Sequence, residues 1–296
     1  TFTLFAISLR DMGIEVRFAA GDRCEDIEPL IDDRTKAVYL ENLGNPAFNV
    51  PDFEPIIEMA HKRGICVMVD NTFGCGGYLF RPVEWGANVV IHSATKWICG
   101  HGTSLGGVVV DGGNFDWDEE KYPLLAAPAE SYHGLVYKEV FGNAAFAGRV
   151  RVDGLRNFGP SASPFNSFLM LQGLETLSLR AQRCCDNTLA IAQWIQEHEA
   201  IESVNYPGLK GNPYHDLACK YLKNGFGGVL TFRVKSGFEG AAELVSKLEL
   251  ILHVGSVGDS KSLIVHPAST THSQLSEQER VAAGVYPNML RLSVGI

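Results

Sequence analysis

No apolar run in this sequence is long enough to cross a bilayer; the longest candidates, Ile65 to Val69 and Val108 to Val110, have the length of strands. Basic runs are missing as well. With 25 Lys+Arg against 34 Asp+Glu, a formal net charge of −9, the chain does not suit nucleic acid or an anionic membrane, since both recruit partners through a basic surface. The seven cysteines, Cys24, Cys66, Cys75, Cys99, Cys184, Cys185 and Cys219, are odd in number and contain no C-x-x-C pair. The pattern suggests neither a disulfide framework nor a zinc knuckle and fits reduced thiols in a cytosolic enzyme best. Also absent are the G-x-S-x-G elbow of serine hydrolases, a full dinucleotide-binding glycine fingerprint with its following acid, and any internal repeat. Thr1 to Leu9 lacks the basic leader and cleavage site of a signal peptide.

What is present is 296 residues, 46% hydrophobic and 20% charged, a composition that supports about two domains with real cores. From Ile14 to Val110, short β-branched runs alternate with amphipathic stretches, as in β-α units that build a mostly parallel sheet. The expected strands are IEVRFA from Ile14, KAVYLEN from Lys36, ICVMVDN from Ile65, NVVIHSAT from Asn88 and LGGVVV from Leu105. Between the second and third, FEPIIEMAHKRG reads as a helix with Asp52 as N-cap and Gly64 as stop. A loop-rich stretch follows Val110. Then Leu174, Leu177, Ala181, Cys184, Ile191 and Ile195 step by threes and fours, which predicts one or two long helices from about Asn166. The boundary is placed near Arg180, giving domains 1–180 and 181–296. In the second, strands are expected at Glu202 to Tyr206, Gly228 to Val234, Ser262 to His266 and Met289 to Val294. Helices are expected at Gly240 to Leu252 and Ser276 to Ala283, the latter opened by a Ser276–Glu279 capping box.

In open α/β sheets, reactive groups gather beyond the carboxyl ends of the strands. Three strands here end in such groups: KAVYLE runs into Asn42-Leu43-Gly44-Asn45, ICVMV into Asp70-Asn71-Thr72, and NVVIH into Ser93-Ala94-Thr95-Lys96. Taken singly, Asp70 reads as a loop cap and Lys96 as a surface lysine. Taken together, they place a carboxylate, two hydroxyls, an amide and a lysine in one crevice. A partly desolvated lysine has a lowered pKa, which favours the neutral amine that Schiff-base chemistry needs. Arg291 taken alone reads as a strand residue on a solvated face. His92, His101 and His266 read as structural, since none has a second ligand at metal spacing.

VDNTF, HSATKW followed by GHGTSLGG, HPASTTHSQLS and the terminal RLSVGI resemble, in order and over the entire chain, the γ-family of fold-type I pyridoxal-phosphate enzymes of cysteine and methionine metabolism. The resemblance implies a mostly parallel central sheet, a smaller α+β C-terminal domain and pyridoxal 5'-phosphate as cofactor. By the same resemblance, Lys96 matches the lysine that bonds covalently to the cofactor, and Asp70 the acid that pairs with its ring nitrogen. Ser93 and Thr95 match the hydroxyls that bind its phosphate. Arg291 matches the arginine that clamps the substrate α-carboxylate, with Asn45 and Ser256 as helpers. These residue types suit the tasks: a carboxylate keeps the ring nitrogen protonated, and a guanidinium meets a carboxylate with two parallel donors.

GHGTSLGG, AESYHGLVY from Ala129 and VGDSKSL from Val257 resemble the O-acetylhomoserine sulfhydrylases of that family, although Ser256 stands where an asparagine is expected. The implied reaction replaces the acetoxy group of O-acetyl-L-homoserine with sulfide. Cystathionine γ-synthase or C–S lyase activity is the alternative within the family, and a non-catalytic fragment the alternative outside it. Thr1-Phe2 resembles the end of the family's Y-G-G-T segment. The ring-stacking tyrosine, a phosphate-binding turn and an arm reaching a neighbouring subunit are therefore expected to lie outside this sequence. The family builds each site from two subunits, which implies a homo-oligomer, a tetramer arranged as a dimer of dimers.

Overall fold

A computed structural model describes residues 2–273, 276–282 and 284–296. The first sheet is four-stranded, in the order β1 (Ala37–Glu41), β2 (Cys66–Asp70), β3 (Val89–Ser93) and β4 (Gly107–Asp111). β1, β2 and β3 run parallel and β4 returns antiparallel to β3, so the sheet is mostly parallel. The register pairs Glu41 with Asp70 and Asp70 with Ile91. β1 and β2 therefore end level and β3 runs two residues further to Ser93, and the polar groups that follow them project from the same end.

The helix Phe53–Lys62 covers this sheet by burying Phe53, Ile56, Ile57, Met59 and Ala60, which recur at the spacing of one helix face. It stops at Gly64, whose φ of +60° suits glycine. Asp52 is the N-cap by position only: its carboxylate accepts from Tyr221 Oη and Lys220 Nζ rather than from the helix. The Tyr221 hydroxyl takes over, accepting from Glu54 N at 3.2 Å.

Two expectations are corrected. Residues 14–19 form no strand. The alternation there is used at the surface, where Arg17 joins Glu15 and Asp32 at 2.7 and 2.8 Å while Ile14 and Phe18 stay exposed. The stretch after Val110 is not mainly loop, because residues 137–158 form a nearly unbroken series of short helical segments. Gly142 and Gly159 punctuate that series at φ +53° and +73°, and interspersed glycines of this kind read as loop.

Two long helices follow, Pro164–Glu175 and Leu177–Gln196. The second runs through the boundary expected near Arg180. Its first half gives Ala181 and Cys185 to the core under the first sheet, and its second half gives Ala192 and Ile195 to the core of the second. The second sheet has the order β5 (Ile201–Asn205), β6 (Val229–Val234), β9 (Met289–Ser293), β8 (Leu263–Val265) and β7 (Leu252–His253). Its pairs are antiparallel except β7 with β8. Leu290 and Leu292 of β9 enter the core beneath the helix Gly237–Lys247. The two-residue period of a strand turns the intervening Arg291 to the opposite face. The last helix spans Glu277–Ala282; the expected cap on it involves the side chain of Glu279, which lies outside the described residues, as do Gln274 and Leu275 of HPASTTHSQLS.

Candidate active site

At the carboxyl end of β2, the Asp70 carboxylate is oriented by its own loop. Thr72 donates to Oδ1 from its backbone N at 2.9 Å and from its hydroxyl at 2.6 Å. The same hydroxyl accepts from Ser93 N at 2.8 Å, which ties the ends of β2 and β3 together. Among the described residues, Asp70 Oδ2 accepts only from the Tyr39 hydroxyl, at 3.2 Å. Thr72 was named among the groups that end β2 but given no role, and Tyr39 escaped the sequence reading. Thr72 had a local signal, because a hydroxyl two residues after an aspartate is a common side-chain turn. Tyr39 had none, since it reaches Asp70 across the β1–β2 pair.

Beyond β3 the chain turns at Ser93-Ala94-Thr95-Lys96, closed by Lys96 N to Ser93 O at 3.2 Å and Gly100 N to Lys96 O at 2.7 Å. Lys96 is half-buried, and its Nζ donates to Ser256 Oγ at 2.9 Å. Burial, and then the positive charge of Arg291, hold its pKa below the ordinary lysine value. Arg291 is buried, which overturns its reading as a solvated strand residue. It donates to Asn45 Oδ1 at 3.3 Å and to Ser256 O at 3.4 Å. Ser256 therefore touches both the lysine and the arginine, and Asn45 stands beside the arginine. Arg291 forms no ion pair among the described residues, so a buried guanidinium with neutral partners faces the space above the strands, where an anionic substrate would neutralise it. Glu41, next to Asp70 in register, has its carboxyl pKa raised by burial and by the Asp70 charge, partly offset by the Asn45 backbone N–H.

Lys96, Asp70, Ser93, Thr95, Asn45, Ser256 and Arg291 thus stand on segments that converge at one end of the first sheet. The set fits a pyridine aldehyde phosphate. Asp70 presents a carboxylate oxygen with a single displaceable hydroxyl on it, and Lys96 a partly desolvated amine. The Ser93 hydroxyl has no partner among the described residues. Thr95 fits less simply, because its hydroxyl already donates to Gly106 O at 3.3 Å and accepts from Gly106 N at 3.1 Å; serving a phosphate means rotating that donor away. The glycine clusters serve close packing: a Cβ on Gly74 would strike Asn71, one on Gly100 would strike Arg180, and one on Gly102 would strike Asp259. His101 contacts Cys99 O, and His266 contacts Ser269 Oγ and Pro287 O, both structural arrangements. A cleft of about 720 Å³ lined by Lys36, His61, Arg63 and Asp116 lies at the opposite end of the strands, since Lys36 and Gly64 precede β1 and β2.

The family described as Cys/Met metabolism PLP-dependent enzyme matches residues 1–296. The chain is 51% identical to O-acetyl-L-homoserine sulfhydrylase 1 of Thermus thermophilus, over all of this chain and 70% of that protein. It is 50% identical to homocysteine/cysteine synthase of Saccharomyces cerevisiae, over all of this chain and 69% of that protein. A solved structure described as an O-acetylhomoserine (thiol)-lyase of Campylobacter jejuni, which contains N'-pyridoxyl-lysine-5'-monophosphate, superposes with a TM-score of 0.94 at 39% identity, covering 99% of this chain and 70% of that one.

Proposed function

We propose that this chain, which belongs to the Cys/Met metabolism pyridoxal-phosphate-dependent enzymes, replaces the γ-acetoxy group of O-acetyl-L-homoserine with sulfide, giving L-homocysteine and acetate. The observation that carries the reading is Lys96: half-buried, with lowered basicity, and joined through Ser256 to a buried Arg291 that has no ion-pair partner among the described residues. When bound, pyridoxal 5'-phosphate supplies an electron sink for negative charge developing at the substrate α-carbon.

The residues of the chain supply the rest. Asp70, fixed by Thr72, holds a proton on the ring nitrogen through its Oδ2, displacing the Tyr39 hydroxyl. Ser93 and Thr95 donate to the phosphate. Arg291, with Asn45 and Ser256 beside it, takes the substrate α-carboxylate on its two-pronged face, which sets Cα and Cβ within reach of Lys96. The free amine of Lys96 carries one extra proton at a time: it takes the proton from Cα, would pass it to the bound cofactor, and is then free to take one from Cβ; acetate leaves Cγ with its bonding pair, hydrosulfide forms the new C–S bond there, and Lys96 carries one proton back to Cβ and one to Cα in turn. The Ser256 hydroxyl accepts from the Lys96 amine throughout and steers it.

In this reading residues 1–180 form the cofactor-binding domain and 181–296 the smaller domain that carries Arg291. Seven free cysteines support a cytoplasmic location, and the likeness to homocysteine-forming relatives supports a role in methionine biosynthesis. No helix among the described residues is long and apolar enough to cross a membrane. Exposed Phe165, Phe168 and Leu171 on one helix support a homo-oligomer; the tetramer built as a dimer of dimers is what the family resemblance implies. The test is a substrate panel: homocysteine formed from O-acetyl-L-homoserine with sulfide, and lost in Lys96→Ala, supports the proposal. Turnover only with cysteine, or only of cystathionine, overturns it in favour of a γ-synthase or a lyase.

A further inference from the structure

Arg180 is buried at 6% exposure and forms no ion pair among the described residues. All three arms of its guanidinium instead meet neutral acceptors: Nη1 donates to Trp97 O at 3.1 Å, Nη2 to Gly173 O at 2.5 Å, and Nε to Thr176 Oγ1 at 3.2 Å. An aliphatic side chain would fill this place without the penalty of burying a charge, so the fork itself matters. The planar guanidinium presents separate, fixed N–H groups to carbonyls of two segments at once, a geometry that a lysine ammonium does not reproduce.

Those carbonyls are informative. Trp97 directly follows Lys96, and Gly173 stands in the last turn of the helix Pro164–Glu175, where carbonyls have no partner inside the helix and the dipole favours a cation. The surroundings leave no slack. A Cβ on Gly100 would lie 2.0 Å from Arg180 Nη1, and one on Gly173 would lie 2.3 Å from both Ile98 O and Cys99 O. Turn, helix end and guanidinium are therefore in direct backbone contact. Arg180 also sits one turn into the helix that continues to the second sheet, where Arg291 is mounted.

We propose that Arg180 is a positioning residue for Lys96: it clamps the turn that carries the lysine to the end of the helix Pro164–Glu175 and so fixes the line along which Nζ meets its reacting atom. Arg180 acts through the Trp97 carbonyl and does not touch the amine. The inference rests on Lys96 being the cofactor lysine, and its primary test needs no cofactor.

That test is hydrogen–deuterium exchange of the cofactor-free protein, comparing the parent with Arg180→Lys and Arg180→Met, alongside circular dichroism and steady-state kinetics. Lysine keeps the charge but not the fixed N–H geometry. Arg180→Lys is expected to fold, to exchange the amides of residues 96–100 about tenfold faster, as loss of roughly one net hydrogen bond implies, and to leave β1, β2 and β3 at parental rates. Its kcat falls about tenfold while KM for O-acetyl-L-homoserine stays within about twofold, the signature of a misaimed lysine rather than a lost binding contact. Arg180→Met goes further in the same direction; if it does not fold, Arg180→Lys decides alone. Parental exchange at residues 96–100 in folded Arg180→Lys overturns the proposal, and so does equal acceleration throughout β1–β3, which would mark a general stability role. Failure of the Lys96 reading would show separately, as a borohydride-reducible cofactor link on another residue of the parent.

Discussion

Replacing Gly173 with alanine is expected to destabilise the protein although alanine is the better helix former. Within the helix Pro164–Glu175 the exchange alone would stabilise by about 1 kcal/mol. The added Cβ, however, would lie 2.3 Å from Ile98 O and Cys99 O, against an ordinary contact of about 3.5 Å, so helix and turn must part by about 1.2 Å. Overpacking of this kind costs about 1–3 kcal/mol. Both obstructing atoms are backbone carbonyl oxygens, which no rotamer change can move aside, so the upper end applies. The net loss is about 2 kcal/mol, or roughly 4–8 °C in Tm for a chain of this size. The assay is denaturant unfolding at unchanged slope, with Gly154→Ala as control: Gly154 is also helical, but the nearest atom to its added Cβ is Val150 Cγ1 at 3.9 Å. The control should be as stable as the parent or up to about 1 kcal/mol more stable. Gly173→Ala matching the control would refute the close contact between helix and lysine turn on which the role of Arg180 depends.

Two further outcomes are expected. Arg291→Lys keeps the charge but loses the fork, so KM for the amino-acid substrate should rise about tenfold or more with a smaller change in kcat; an unchanged KM counts against the carboxylate clamp. Burial and then the Arg291 charge lower the Lys96 pKa from 10.5. Between the native value and 10.5 the unfolded chain binds the extra proton, so the contribution of Lys96 to stability is least below that window and rises with pH through it. Arg291→Met removes the neighbouring positive charge and should move the lower edge of the window upward. The pH dependence of Lys96 acylation in the cofactor-free protein measures this, and a downward movement would contradict the stated causes.

The convergence of the strand ends could be read directly. Asp70, Ser93 and Lys96 each follow a β-branched run too apolar to stand at the surface, and parallel pairing brings such run ends to one end of the sheet whatever the details of the loops. Asn45, Ser256 and Arg291 came from the resemblance, and the structure joins them through hydrogen bonds that span the sheets. Arg180 was legible only as a helix residue, because its partner Trp97 lies 83 positions away in the chain, and no local pattern announces a cation that pairs with carbonyls. The strand expected at residues 14–19 failed because alternation fits a surface ladder of charges as well as a half-buried strand. Asp52 was correctly placed at a helix start but given the wrong partner, since Tyr221 comes from a segment far along the chain.

The central claim is that Lys96 is the residue that bonds the cofactor. Its most direct test is to add pyridoxal 5'-phosphate to the purified protein, reduce with borohydride, digest and map the labelled peptide by mass spectrometry. The account predicts one pyridoxyl group, on Lys96, in the peptide that contains HSATKW, and none there in Lys96→Ala. A label confined to another lysine would contradict it.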